Sequence, residues 1–294
     1  MSELAFWIYP LLFGAAFLAG WVDSIAGGGG MVTIPVLLAV GLPAPMVLGT
    51  NKLQASFGSF TAARHYARKD VVRIRDAWWG IVCTLVGSAT GTYAVQQVNP
   101  AILNVVIPFL LLGIALLMLF TPSLGTERGT ARVSSGIFYL VAGLGLGFYD
   151  GFFGPGVGTF WAIAFVLGRG FDLTTATGYT KLMNFTSNVV SLVVFLIGGH
   201  VLFAVGLLMG VGQVLGARLG AGMVVRRGTR FMRPLSPLLF PIGGRFTRSR
   251  HTCWPSSCWA GSPILFNQFS PRLSLRRRLR SSSSRTVTPG LPDA

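Results

Sequence analysis

The sequence predicts an all-α polytopic membrane protein, on three observations: few charged residues, recurring apolar stretches and an internal repeat. Charged residues make up 11% of the 294-residue chain and apolar residues 52%, whereas soluble domains carry about 25% charged residues. A chain with so few charges cannot cover a globular surface with polar groups, but it can face lipid. We therefore expect the lipid bilayer to be its environment.

Apolar stretches recur through roughly the first 225 residues, and most are long enough to cross about 30 Å of hydrocarbon as helices. Two of them, 31–42 and 156–168, are too short to cross alone, and each follows a glycine-rich break. Each is therefore either half of a discontinuous helix or one limb of a re-entrant hairpin. The sequence predicts roughly 8–9 transmembrane segments, with two glycine-broken helices among them. The predicted stretches are 5–22, 31–42, 51–66, 77–97, 101–120, 134–150, 156–168, 180–199 and 201–224.

The basic residues predict the orientation, because cytoplasmic loops carry an excess of Lys and Arg. They concentrate in three connections, which we expect to be cytoplasmic, whereas the turns at 96–100 and 198–200 carry none and should face outward. Nine spans with the N-terminus outside satisfy these constraints. The same distribution argues against a nucleic-acid partner, although the formal net charge is +16. The basic groups are Arg64, Arg68, Lys69, Arg73 and Arg75; Arg128 and Arg132; and Arg226, Arg227, Arg230 and Arg233.

An internal repeat divides this part of the chain into two copies. Residues 21–30, with Asp23 before a glycine run, match residues 148–158, with Asp150 before a second glycine-rich run. Residues 49–53, which include Lys52, match residues 178–182, which include Lys181, 129 residues later. Residues 87–91 match residues 216–220 at the same spacing. Three matched landmarks in the same order predict two copies of one helical unit.

The arrangement of the copies predicts an inverted-topology repeat. Repeat 1 (about 5–97) and repeat 2 (about 134–224) each hold about four spans, and a single linking helix at 101–120 separates them. An odd linking span makes the two copies point in opposite directions, which is typical of secondary transporters that work by alternating access. The alternative is a non-transporting membrane scaffold or channel-like protein, in which the glycine breaks only allow tight packing.

Two aspartates end apolar spans just before the glycine breaks. Asp23 and Asp150 are candidates for proton coupling, because a carboxylate at the centre of a membrane helix costs roughly 2.5–3.5 kcal/mol or more and is functional by default. Proton coupling would suit a carboxylate whose pKa is raised by burial. The alternative is a helix-end cap that faces interfacial water.

Two lysines occupy the same position in the two copies. We expect Lys52 and Lys181 to begin the third helix of each unit, beside glycine-rich backbone and helix N-termini, where positive groups would converge on a small anion. Asn51 and Thr180 could add hydrogen bonds. The alternative is that the lysines extend to the membrane interface. The candidate substrate-binding residues are Asn51, Lys52, Thr180, Lys181, Gly28, Gly29, Gly154 and Gly156.

Other chemistry finds little support in the sequence. The glycine run at 27–30 lacks the Lys-Ser/Thr that follows in a phosphate-binding loop. Glycines 87 and 91, like 216 and 220, have the spacing that lets membrane helices pack closely. The three histidines are scattered, without metal-ligand spacing, and no nucleophile–base pair is visible. We expect no metal, no cofactor and no enzymatic activity, and the sequence leaves the oligomeric state open.

The residues around the first break resemble a known family. Residues 19–30, Pro35 and residues 49–54 (Gly-Thr-Asn-Lys-Leu-Gln) are similar to the sulfite exporter TauE/SafE family, also called the toluene sulfonate uptake permeases, and within it to the YfcA-like branch. The similarity covers roughly residues 5–234. It implies a multi-pass permease of the bacterial inner (plasma) membrane for small sulfur-containing or organic anions, such as sulfite or sulfonates. The family's duplicated motif falls on Asp23, the glycine run, Asn51 and Lys52, and again on Asp150, Gly154, Gly156 and Lys181.

The composition changes abruptly after the transporter-like body, 1–234. Residues 235–294 hold nine Arg, no Lys, one acidic residue, eleven Ser and seven Pro, and contribute +8 to the net charge. The family resemblance would require one more apolar span here, and prolines interrupt the only candidate. We hypothesise a frameshift near codons 234–237, which resequencing the locus would test. The alternative is a genuine basic tail that binds anionic headgroups on the cytoplasmic face.

Overall fold

The computed structural model describes residues 8–120 and 129–227, and these residues form helices and short connections without any strand. The predicted tail at 235–294 and three of the basic residues (Arg128, Arg230 and Arg233) lie outside the described residues. The helices are α1 (Ile8–Ala26), α2 (Gly29–Ala39), α3 (Ala44–Arg68), α4 (Trp78–Gln96), α5 (Pro100–Phe120), α6 (Ser135–Phe152), α7 (Val157–Arg169), α8 (Leu173–Ile197) and α9 (Phe203–Arg227), with one 3-10 turn at Ile74–Ala77.

Each predicted apolar stretch coincides with one of these helices. Four helices contain a segment that is long and apolar enough to cross a membrane: Ile8–Ile25, Pro100–Leu117, Leu173–Ile197 and Phe203–Arg226. The two stretches predicted to be short are the shorter apolar helices α2 and α7. The described part of the chain is therefore all-helical, with several membrane-spanning helices.

The predicted starts of α3 and α8 were wrong by seven residues each. The helices begin at Ala44 and Leu173 instead of 51 and 180. Lys52 and Lys181 therefore do not begin the third helix of each copy but lie about two turns inside it. At the start of α3, Pro43 has an extended backbone and Pro45 lies in the first turn, where a missing N–H costs nothing. At the start of α8, the Asp172 side chain accepts a hydrogen bond from the Thr175 N–H.

Helices of the two copies pack in an exchanged arrangement. Helix α1 of the first copy packs along α9 of the second, and α6 of the second copy packs along α4 of the first. A methyl group added at Gly216 would lie 2.8 Å from the Trp21 backbone nitrogen, and one added at Gly87 would lie 2.9 Å from the Phe148 backbone nitrogen. These distances confirm that the paired glycines serve close helix packing.

The third helix of each copy carries the polar interior. Helices α3 and α8 pack against each other, and both are flanked by outer helices with large exposed apolar side chains, such as Phe109 and Val141. The buried polar residues on α3 and α8 include Thr50, Asn51, Lys52, Gln54, Thr180, Lys181, Asn184, Ser187 and Asn188. Polar groups inside and apolar groups outside suit a protein whose solvent is lipid.

Candidate functional site

The two glycine breaks meet each other near the middle of the bundle. Helix α1 ends at Ala26 and α2 begins at Gly29, while α6 ends at Phe152 and α7 begins at Val157. A methyl group added at Gly27 would lie 2.7 Å from the Gly158 backbone carbon, and Gly27 itself has φ of 84°. Only glycine allows both this backbone conformation and this close approach. The breaks therefore bring the starts of α2 and α7 to one place.

Each of the two lysines pairs with the aspartate of the other copy. Lys52 Nζ donates to Asp150 Oδ1 at 2.6 Å, and Lys181 Nζ donates to Asp23 Oδ2 at 2.9 Å. The Lys52–Asp150 pair is buried on both sides, at 3% side-chain exposure each. In the second pair Lys181 is fully buried, whereas the Asp23 side chain is 21% exposed. The ion pairs thus join the two copies across the breaks.

A small cavity lies beside these ion pairs. Its volume is about 40 Å³, which leaves room for a few waters because one buried water needs ~10–15 Å³. Eight of the ten residues predicted for the site line it: Asp23, Gly28, Gly29, Asn51, Lys52, Asp150, Gly154 and Gly156. Thr180 and Lys181 are buried and do not line the cavity, and Lys181 reaches it only through its bond to Asp23.

The starts of both short helices border the cavity. Gly28, the N-cap of α2, and Gly156, the N-cap of α7, both line it with left-handed backbone conformations. The Gly29 N–H donates to Asp23 Oδ1 at 3.2 Å, so this carboxylate also satisfies the first turn of α2. Two helix N-termini place partial positive charge at the same cavity.

Hydrogen bonds fix the orientation of Asn51. Its Oδ1 accepts from Thr33 Oγ1 at 2.6 Å and from Gln54 Nε2 at 2.8 Å. Gln54 in turn accepts from Gln213 Nε2 at 3.2 Å. Because the acceptor oxygen of Asn51 is used by the protein, its amide N–H groups remain the natural donors to a ligand in the cavity.

Three buried side-chain oxygens have no hydrogen-bond partner within the described residues. They are Asp150 Oδ2, Asn184 Oδ1 and Thr180 Oγ1, and the first two belong to residues that line the cavity. Leaving a buried polar atom unpaired costs about 1–3 kcal/mol. Such atoms are places where a water, a proton or a bound ligand would gain binding energy.

The cavity also contains polar residues that sequence reasoning missed. Asn184, Asn188 and Gln213 line it, and Asn188 donates to Ser59 Oγ of the other copy at 3.4 Å. Asn184 and Asn188 follow Lys181 by three and seven residues, so all three share one face of α8. Polar residues at this spacing inside an apolar span were the signal in the sequence that could have identified them as lining residues.

The charges of the cavity lining and of Lys181 beside it balance in this conformation. Two lysines and two aspartates contribute no net charge, so the partial charges of the helix starts and the amide groups set the local polarity. An arrangement of this kind can hold a small polar or charged molecule by hydrogen bonds, provided that the ion pairs can open.

Comparisons with known proteins identify a matching family and several relatives of the chain. The family described as Sulfite exporter TauE/SafE matches residues 12–245. A "Probable membrane transporter protein" of Haemophilus influenzae is 47% identical over 78% of this chain and 89% of its own length. The "Probable membrane transporter protein YfcA" of Escherichia coli K12 is 46% identical over 78% and 87%, and the "Probable membrane transporter protein ORF9" of a Sinorhizobium species is 44% identical over 80% and 90%.

No solved structure matches the chain. The family match and the transporter names of the relatives, together with the membrane-spanning helices, identify a multi-pass membrane transporter of the bacterial inner membrane. Its environment is the lipid bilayer and its substrate is a small molecule. The match over most of the chain, the paired Asp and Lys motifs and the glycine breaks lead to one conclusion: this protein belongs to the sulfite exporter TauE/SafE family.

Proposed function

We propose that this transporter carries small anions, and that the anion binds in the cavity between the two glycine breaks. The observation that supports this most is the convergence of two helix N-termini and the buried Lys52 on one small cavity. The starts of discontinuous helices point at anionic groups in transporters of this general design. Asn51 adds amide donors on the same side, and Lys181 adds a second cation through its pair with Asp23.

The substrate class in this proposal is a sulfur-containing or organic anion such as sulfite or a sulfonate. The name of the matched family supports it, since that name refers to sulfite. Such oxyanions offer several acceptor oxygens, which complement N–H donors and an ammonium group. The cavity has room for only a few waters, so binding would require the surrounding helices to move apart.

Alternating access between inverted repeats would provide that movement. The exchanged packing of α1 on α9 and α4 on α6, and the exchanged ion pairs, support a repeat related by inversion, with up to nine spans including the broken helices. In this mechanism one copy rocks against the other around a fixed site. The ion pairs would close the site in the empty state and open when the substrate enters.

Proton coupling follows from the charge balance of the cavity. Because the two lysines and two aspartates already cancel, an added anion would leave a net negative charge in a poorly solvated site, which is unfavourable. Protonation of one carboxylate would restore neutrality. Asp150 is our candidate, since its Oδ2 has no hydrogen-bond partner within the described residues; Asp23 is the second candidate.

Flux through proteoliposomes tests the site. With radiolabelled sulfite as the probe, we expect Lys52→Ala and Lys181→Ala each to reduce saturable uptake by about tenfold or more, because a hydrogen bond to a charged group is worth about 1.5–3 kcal/mol. Arg132→Ala, an exposed cation in a connection remote from the cavity lining, is the matched control and should transport normally. Uptake that is absent in the wild type supports the scaffold alternative. Uptake that never saturates supports a channel-like protein.

A further inference from the structure

A groove on the lipid-facing surface combines apolar and cationic side chains. It runs between α3 and α9, which pack directly against each other. A methyl group added at Gly206 would meet Leu53, and one added at Gly210 would lie 2.7 Å from the Phe57 ring. Residue numbers rise together on both helices along this contact, so α3 and α9 run parallel. We call the exposed edge of this contact the α3–α9 groove.

The part of the α3–α9 groove further from the C-terminal ends of the two helices is apolar and exposed. Phe57 of α3 is 39% exposed, and Val211 of α9, which follows Gly210 in the chain, is 56% exposed. In a membrane protein, side chains of this kind contact acyl chains. This part of the groove therefore lies at the depth of the hydrocarbon.

The part of the groove nearer the C-terminal ends of α3 and α9 is cationic. Arg64 follows Phe57 by seven residues on α3, and Arg218 follows Val211 by seven residues on α9, so both arginines lie two turns further along on the same faces. Both are exposed, as are Arg68, Lys69 and Arg226 nearby. Lys69, Arg218 and Arg226 all lie close enough to His65 to interact with it electrostatically, which shows that cations of α3 and α9 share one locality.

These cations lack protein partners within the described ranges. The described ion pairs are the two inside the bundle, and no carboxylate pairs with Arg64, Arg68 or Arg218. Arg218 also sits within a helix segment apolar enough to span the membrane, where an unpaired arginine is costly. An anion from outside the described chain would therefore stabilise this side chain.

The internal repeat supplies a comparison within the molecule. The position of Arg218 in the first copy is held by Ala89, and the position of Arg64 in the second copy is held by Val193. The related groove between α4 and α8 is therefore uncharged at both positions. Helix packing does not require the arginines, since the same helical unit is built without them.

We propose that the α3–α9 groove binds an anionic phospholipid, with its phosphate between Arg64 and Arg218 and an acyl chain along Phe57 and Val211. Charge complementarity favours this occupant, because arginine pairs with phosphate through two parallel hydrogen bonds. The order of apolar and cationic parts along the groove matches the order of chain and headgroup in a lipid. Clusters of basic residues at the cytoplasmic end of membrane helices attract such headgroups. The site is independent of the transported substrate.

Lipid binding to the purified full chain tests this site. We would measure by native mass spectrometry the binding of phosphatidylglycerol, with phosphatidylcholine as the zwitterionic comparison. Arg218→Ala should weaken phosphatidylglycerol binding about fivefold, and Arg64→Ala with Arg218→Ala by about 25-fold, because each cation near the surface contributes ~1 kcal/mol. Arg218→Lys should retain most of the binding, and Arg132→Ala should leave it unchanged.

Several outcomes would overturn the site. Equal binding of both lipids would mean that the headgroup charge is not recognised. A loss in Arg132→Ala as large as that in Arg218→Ala would mean that positive charge acts without a defined groove. Competition by soluble glycerol phosphate as effective as that by the lipid would assign the arginines to a free anion. A change in oligomeric state on Arg218→Ala would assign the groove to a second copy. Because Ala89 occupies the related position in the first copy, Arg218→Ala is compatible with the helix.

Discussion

The two ion pairs differ in how much water reaches them, and this difference predicts different costs of breaking them. Both partners of Lys52–Asp150 are 3% exposed, whereas Asp23 in the other pair is 21% exposed. Removing one partner of a buried pair leaves an uncompensated charge and costs about 3–5 kcal/mol. We therefore expect Asp150→Asn to lower the free energy of unfolding more than Asp23→Asn does.

Unfolding in SDS, followed by tryptophan fluorescence, measures both losses. Replacing both charges together, as in Lys52→Met with Asp150→Leu, should recover much of the stability, because a buried pair contributes little net energy compared with apolar residues. Equal losses for the two single aspartate variants would contradict the assigned asymmetry, and a double variant no better than Asp150→Asn would contradict the pairing itself.

Individual residues of the candidate site could be singled out from the sequence, but their partners could not. The repeat singled out Asp23, Lys52, Asp150 and Lys181 because each matched its copy in position. That each lysine bonds to the aspartate of the opposite copy depends on which helices become neighbours. Spacing within one copy carries no information about that choice. The same limit explains why Gln213 was missed: it reaches the site by bonding Gln54 on another helix.

At the scale of helices, the glycines of α9 predict opposite effects of the same substitution. Gly216 faces α1 so closely that an added methyl would lie 2.8 Å from the Trp21 nitrogen, whereas Gly222 has no atom within 4 Å of that position. Overpacking costs about 1–3 kcal/mol, and alanine is favoured over glycine inside a helix by about 0.5–1 kcal/mol. We expect Gly216→Ala to lower the melting temperature and Gly222→Ala to raise it slightly. Thermal melting of the two variants in detergent checks this, and because both glycines lie on α9 each variant is a control for the other. A similar decrease in melting temperature in both would contradict the close contact at Gly216.

Helix existence could be predicted from hydrophobicity, and helix starts could not. Apolar runs indicated every helix because lipid-facing elements must be apolar. The first two turns of α3 contain Pro45 and Gly49, and those of α8 contain three threonines and Gly178, so both were assigned to connections. Those extra turns matter for the site: they place Lys52 and Lys181 inside the bundle, where burial, not a helix end, controls their partners.

At the scale of the whole molecule, charge balance and the repeat together restrict how transport can be driven. The two ion pairs leave the empty site without net charge, and their four charges join both copies. If one copy moves against the other, the ion pairs must separate, and the substrate charge has to be compensated while they are apart. One proton for each monovalent anion keeps the moving site neutral, so the proposed cycle moves no net charge across the membrane.

The last prediction is therefore proton-driven but electrically silent transport. We expect uptake of a sulfonate, which stays anionic at all relevant pH values and so brings no proton itself, to rise when the outside of proteoliposomes is made acidic relative to the inside. A potassium diffusion potential of either sign should leave the rate unchanged in the wild type. Asp150→Asn removes the carboxyl that has an unpaired buried oxygen; its remaining transport should lose the response to the pH gradient and become sensitive to the potential. Wild-type uptake that depends on the potential and not on the pH gradient would contradict proton coupling. It would not contradict the anion site, which the lysine variants test separately.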